Sequence, residues 1–278
     1  MEIISLKNRL LKHKFLYWLL RPLYKFVKYL INKILEKKLV RLERYVDTKD
    51  FSFNHRGLLT KQNSDFMREP DFISAFQKGL RQYEDFYGGK DKKKNRSYWE
   101  RHVVLWAAHH AAKLAGDFVE CGVSSGIASM SVVSYLDFNK LTGRKFYLFD
   151  TFNGLDKRFA TEKEYKKYEH AYLDSYEFVK ESFKEYPNVI LVRGSIPLTL
   201  SRAKIAKVAY LHIDMNCVIP EKEAIKYFWP KLVPGAIVIL DDYGLASHKE
   251  QKKAMDEFAF LEKVKILSLP TGQGMIIK

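Results

Sequence analysis

From Ser97 onward, short apolar runs alternate with stretches of helical periodicity, and this pattern constrains the fold more than any other feature of the chain. Strands separated by helices cannot be joined as hairpins. They need crossovers, and crossovers build a parallel sheet with helices on its faces. The predicted order is helix 98–114, strand 117–121, helix 128–136, strand 145–150, strand 189–193, strand 208–214, a helix opened by Pro220 and strand 236–241. Ser247 and Glu250 have capping-box spacing for a helix that reaches Phe260. The last two runs, 264–269 and 274–277, are joined only by 270–273. That link is too short for a crossover, so they form an antiparallel hairpin. The expected fold is α/β, Rossmann-like and mostly parallel, with a C-terminal antiparallel hairpin and a helical N-terminal extension.

Three segments follow from the change of pattern: a basic amphipathic extension over 1–46, a helical and loop bridge over 47–96 placed to act as a lid, and the α/β domain over 97–278. Apolar residues from Leu16 to Leu35 recur at helical period, with Pro22 as a break, beside Tyr17, Trp18, Tyr24 and many lysines and arginines. A helix of this kind suits an anionic membrane surface or a second copy of the chain. The net charge of +15 calls for an acidic partner, but no nucleic-acid-binding signature accompanies it, so nucleic acid is not expected. Lys12, Lys14 and Arg21 interrupt both a signal-peptide core and any span of the ~18 apolar residues a membrane helix needs. Two cysteines cannot build a disulfide framework, which places the protein in a reducing, cytoplasmic setting, peripheral on the inner membrane face if the helix binds lipid.

Acids close the predicted strands: Glu120, Asp150, Asp214 and the pair Asp241-Asp242. In an open parallel sheet these ends line one crevice, where ligands bind. After the first strand, Gly122 and Gly126 flank a turn in which the backbone approaches a ligand closely. The glycines do not fit the dinucleotide fingerprint, because its second glycine would fall at Ser124, and there is no phosphate-loop lysine. Asp150 is placed to accept hydrogen bonds from ribose hydroxyls, which identifies a nucleoside without naming it. A NAD-type oxidoreductase, or a membrane- or nucleic-acid-binding module built on the same scaffold, stays open at this point.

The runs Gly116-Asp-Phe-Val-Glu-Cys-Gly-Val123, Phe149-Asp-Thr-Phe-Asn-Gly-Leu155, Gly194-Ser195 with Thr199, Asp214, and Ala236-Ile-Val-Ile-Leu-Asp-Asp-Tyr-Gly244 together resemble the macrocin O-methyltransferase (TylF/MycF-type) family. The resemblance covers 98–278. It implies S-adenosyl-L-methionine (SAM) as methyl donor, with Glu120, Gly122 and Gly126 around its amino-acid part, Asp150 on the ribose, and Gly194 and Ser195 near the adenine. Val123, Ser125, Thr151, Phe152 and Asp214 complete the implied cofactor-binding set. It also implies Mg²⁺ on Asp214, Asp241 and Asp242, and an acceptor hydroxyl on a sugar, glycan or other small molecule.

Elementary chemistry agrees with the metal. An aliphatic hydroxyl is a poor nucleophile until a cation lowers its pKa, and clustered carboxylates are hard ligands suited to Mg²⁺. The family's Asp-x-Asp-x-Tyr run reads Asp214-Met-Asn-Cys-Val218 here. Asn216 orients or ligates but takes no proton, so the catalytic set is Asp214, Asn216 and His212 as the candidate base, while His248, just past the acid pair at a helix N-terminus, either acts or is simply solvated. At mid-strand, His212 reads equally as a hydrogen-bonded core residue. Cys121 and Cys217 read as inert buried thiols, and Tyr165, Tyr168, Tyr172 and Tyr176 as a packed helical face.

Overall fold

A computed structural model describes residues 26–27, 29–30, 33, 53–55, 58–89 and 97–278. The chain divides into two compact units, Met1–Phe53 with Leu59–Gln62, and Asn54–Leu58 with Asn63–Lys278. In the first unit Phe26, Val27, Tyr29, Leu30 and Lys33 are helical and exposed. The rest of the predicted N-terminal helix, its break at Pro22 and the basic run 90–96 lie outside the described residues.

The second unit is built on a sheet of seven strands, which we number β1 (Asp117–Cys121), β2 (Phe146–Asp150), β3 (Val189–Arg193), β4 (Val208–Ile213), β5 (Leu232–Leu240), β6 (Leu267–Ser268) and β7 (Gly274–Ile277). Their spatial order is β3-β2-β1-β4-β5-β7-β6. The first five are parallel, and β7 pairs antiparallel with both β5 and β6. The predicted Rossmann-like sheet with its closing hairpin is therefore present. The order reverses between β1 and β4, and a crevice opens at such a switch point.

Among the described residues of this unit, seven α-helices flank the sheet: α1 (Pro70–Tyr87), α2 (Tyr98–Ala111), α3 (Ile127–Tyr135), α4 (Glu162–Tyr168), α5 (Tyr176–Ser182), α6 (Val218–Phe228) and α7 (Lys249–Leu261). The central strands β1, β2 and β4 and the second half of β5 are buried on both faces, as the unbroken apolar runs require. On one face Phe118, Phe138, Phe146 and Tyr210 form an aromatic cluster beneath α1–α3. On the other, Phe149, Leu211, Phe228 and Phe258 pack with Met255 of α7. Each fully buried ring of this size contributes about 1.5–3 kcal/mol, so the two half-cores fix the strand ends that carry the site.

Some boundaries differ from expectation. The capping box falls on Thr161 and Glu164 at α4, not on Ser247 and Glu250, because His248 is the α7 cap residue and the Ser247 hydroxyl is drawn to its Nδ1 at 3.0 Å. Strand β5 begins at Leu232 and runs through Pro234-Gly235 with a register irregularity, whereas the spacing predicts a turn there.

Candidate active site at the carboxyl ends of the parallel strands

Parallel register sets the site. Glu120 lies beside His212, which lies beside Ile239, so Glu120, His212 and Asp241 converge on one side of the sheet's carboxyl edge. They open into a cavity of about 450 Å³. Of the predicted residues, Glu120, Gly122, Val123, Asp150, Thr151, Phe152, Gly194, Ser195, His212, Asp214, Asn216 and Asp241 line it. Ser125, Gly126 and Asp242 do not.

Gly122 has φ +93°, and a Cβ there would sit 1.8 Å from the Asp214 carbonyl oxygen. The close approach expected at this glycine is thus to the neighbouring strand end. At Gly126 the nearest group is the Phe183 ring. Asp150 also has protein partners. Its Oδ2 accepts from the backbone N–H of Val123 at 2.5 Å and of Ser124 at 2.8 Å, and its Oδ1 from the N–H of Phe152 at 2.7 Å. The carboxylate clasps the turn after β1 to the turn after β2, giving this end of the crevice a fixed shape.

The acid cluster is electrostatically strained. Burial pushes the Asp214 carboxyl well above its ordinary range, and the neighbouring Asp241 and Asp242 add to the rise. Burial also works to lower His212, but Asp241 at 3.6 Å and Glu120 at 3.7 Å outweigh it and hold the imidazole up at about 10. Asp241 experiences the converse. Against the effect of burial, the His212 charge, the Gln273 amide and Arg101 hold it down at about 2. Enclosed between the two carboxylates, the His212 imidazole is placed to serve as their internal counter-charge.

His212, Asp214 and Asp241 bring potential ligand atoms within 4.8 Å of one another. With the imidazole protonated, carboxylate oxygens remain, a hard donor set that fits Mg²⁺ better than zinc. Burying Asp214 among like charges leaves a deficit that a divalent cation corrects. Asp242 stands outside this group, its Oδ2 at 3.6 Å from His248 Nε2.

Asn216, at φ +56°, spans two of the candidate catalytic groups. Its Nδ2 donates to Asp214 Oδ1 at 3.3 Å, and its Oδ1 lies 3.1 Å from His248 Nε2. Tyr168 Oη lies 2.7 Å from the same nitrogen. Burial and then Lys167 lower the His248 pKa, which favours the neutral ring.

The tyrosine run does not form the single packed face its spacing predicts, because α4 ends at Tyr168. Tyr168 and Tyr172 enter the cavity wall, while the Lys157 ammonium lies over the Tyr165 ring and Tyr176 meets Phe152 edge to face. The segment over the cavity is pinned at several points. The Ser195 hydroxyl donates to Asp156, Glu164 Oε1 accepts from the Val218 N–H at 2.9 Å, and the Ser175 hydroxyl donates to the Ser124 carbonyl at 2.7 Å. Cys121 and Cys217 are buried free thiols with pKa values raised chiefly by burial, Cys217 to about 12.

Sequence reasoning missed Arg101, Glu221 and Gln273. Arg101 and Gln273 line the cavity, and Glu221 is buried beside the acids, raised by burial and then by Asp242 and Asp214. Only an irregular sequence signal marks Gln273, a polar residue in a turn between two strands.

The family model described as Macrocin-O-methyltransferase (TylF) matches residues 104–267, more than half of the chain. The chain belongs to this family. A curated relative of this TylF-family chain, the 8-demethyl-8-(2,3-dimethoxy-alpha-L-rhamnosyl)-tetracenomycin-C 4'-O-methyltransferase of Streptomyces olivaceus, is 28% identical over 140 residues. The match covers 47% of this chain and 54% of that protein, so the chain spans about half the length of the curated relative it matches. Among solved structures, the O-methyltransferase NovP is similar with a TM-score of 0.57 at 21% identity, covering 64% of this chain and 78% of NovP. The calicheamicin methyltransferase CalS11 follows at 0.53 and 16%, covering 78% of this chain and 97% of CalS11. At these identities the two structures establish a shared fold.

Proposed function

We propose that this TylF-family protein transfers a methyl group from SAM to a hydroxyl of a sugar or glycan acceptor. The observation that carries the reading is that one cavity joins a nucleoside-type end, at Gly122, Asp150 and Gly194, to a buried carboxylate cluster at Asp214 and Asp241. The S. olivaceus relative, a 4'-O-methyltransferase of a rhamnosyl-tetracenomycin, supports the choice of acceptor.

Bound SAM supplies an electrophilic methyl group, and a divalent cation, for which we propose Mg²⁺, lowers the pKa of the acceptor hydroxyl. Asp214 and Asp241 would hold that cation. The chain's own residues do the rest. Asp150 fixes the turn that receives the nucleoside, and Glu120, held by the Ser129 hydroxyl at 2.7 Å, presents negative charge to the donor's ammonium end. Tyr168 and Tyr172 exclude water above the acids and give the acceptor an aromatic wall. Asn216 orients Asp214 through its Nδ2 and takes no proton. The hydroxyl proton is received at Tyr168 Oη, whose own proton passes to His248 Nε2.

The basic N-terminal segment would bring this site to an acceptor at an anionic membrane surface. No helix among the described residues is long and apolar enough to cross a membrane. The deciding experiment is incubation with methyl-labelled SAM and fractionated glycans. Label in a sugar hydroxyl is expected, and tight NAD binding without SAM binding would overturn the reading.

A further inference from the structure

We infer that Arg101 is the binding residue for the carboxylate of the methyl donor's amino-acid tail. The inference rests on SAM as donor.

Charge in the cavity leaves few places for an anion. Among the described lining residues, the strongly basic groups are Arg101 and His212; the other ionised side chains are carboxylates. His212 is held between Glu120 and Asp241 and is almost fully enclosed, so its charge is already used. Arg101 is half-buried in the cavity wall; its charge acts on Asp241 from a distance, but its guanidinium donates no hydrogen bond and makes no close ion pair among the described residues. A partly desolvated guanidinium with five donors is an incomplete arrangement, and a carboxylate completes it bidentately.

The position agrees with the length of the ligand. The nucleoside end lies over β2 and β3, at Asp150, Gly194 and Ser195. Arg101 is at the opposite end, in the first turn of α2, which packs on β4 and β5. A nucleoside seated over β2 therefore extends its amino-acid tail past Glu120 toward α2. The ammonium of that tail meets Glu120 and its carboxylate meets Arg101. The start of α2 adds to this preference. Its cap residue, Ser97, also lines the cavity, so the helix turns its positive dipole end to the same side as Arg101. An acidic acceptor sugar would use the same chemistry, and the test separates the two sources.

Calorimetry on the full chain with S-adenosylhomocysteine, and with the same thioether lacking only its carboxylate, reads the interaction. In Arg101→Met, which keeps the aliphatic stem, affinity for S-adenosylhomocysteine should fall about tenfold or more. Affinity for the decarboxylated probe should stay as in the wild type, and Arg101→Lys should recover part of the loss. Unchanged S-adenosylhomocysteine affinity in Arg101→Met overturns the assignment. So does an equal loss for both probes, which marks a change of shape, and so does a rise in KM for an acidic acceptor alone, which assigns the arginine to the acceptor. If the wild type binds neither probe, the donor reading itself fails, a result distinct from any effect of the substitution.

Discussion

The Gln273 amide donates to Asp241 Oδ1 at 2.8 Å, tying the turn of the C-terminal hairpin to the acid at the end of β5. Gln273 is fully buried and also reaches the Glu100 carbonyl at 3.4 Å. A ligating carboxylate held in this way keeps its orientation, and loss of such a partner typically costs ~10–100-fold in metal affinity or activity. Turnover should vanish with chelator and return with Mg²⁺, and Gln273→Leu should raise the Mg²⁺ concentration for half-activity by about tenfold or more. Full turnover in excess chelator would remove the cation from the mechanism.

Tyr168 and His248 are predicted to act as one unit in proton removal. Tyr168→Phe and His248→Gln should each lower kcat by about 100-fold, with S-adenosylhomocysteine affinity unchanged and the double variant little worse than either single one. Additive losses would show that the two side chains act separately.

Gly79 lets α1 approach α3. A Cβ there would lie 2.0 Å from the Ser131 hydroxyl oxygen and 2.6 Å from the Ile127 carbonyl oxygen. Backbone cannot yield as a side chain can, so Gly79→Ala should destabilise the fold by about 1–3 kcal/mol in a denaturant titration. The next turns of α1 carry Tyr83 and Tyr87 into the cavity wall, so the acceptor KM should also rise.

Acid should loosen the segment above the cavity. Despite burial, hydrogen bonds from Thr161 and the Val218 N–H hold Glu164 below its ordinary 4.5, and the Arg158 guanidinium holds Asp156 below 3.8. A depressed folded-state pKa gives stability that is present above the unfolded value and lost as pH falls through the folded one. Arg158 is largely exposed, so its contribution is screened and Glu164 carries most of the effect. Hydrogen exchange over 156–175 should be slow at pH 6 and accelerate below about pH 4, before the sheet loses protection. Glu164→Gln should abolish most of this dependence.

The basic extension should direct the chain to anionic vesicles. Sedimentation is expected with anionic but not neutral lipid, with release at high salt and loss on truncation before Asp47. A supernatant protein whose truncation converts a dimer to a monomer would assign the segment to self-association.

The sequence by itself determined the sheet. Unbroken apolar runs between helices leave parallel pairing as the way to bury both faces, and the short 270–273 link dictated the closing hairpin. It also determined that Glu120, Asp150, Asp214 and Asp241 share an edge, because acids at the ends of parallel strands converge whatever the packing detail. Tertiary structure decided what each of these groups does. Nothing in the pattern of β4 shows that His212 lies between Glu120 and Asp241 and carries a charge, since that depends on register with two other strands. Tyr168 reaches His248 across 80 residues, and Gln273 reaches Asp241 across 32. Periodicity along a chain encodes which face a residue occupies; the partner it meets there is chosen by packing between segments that the period does not relate.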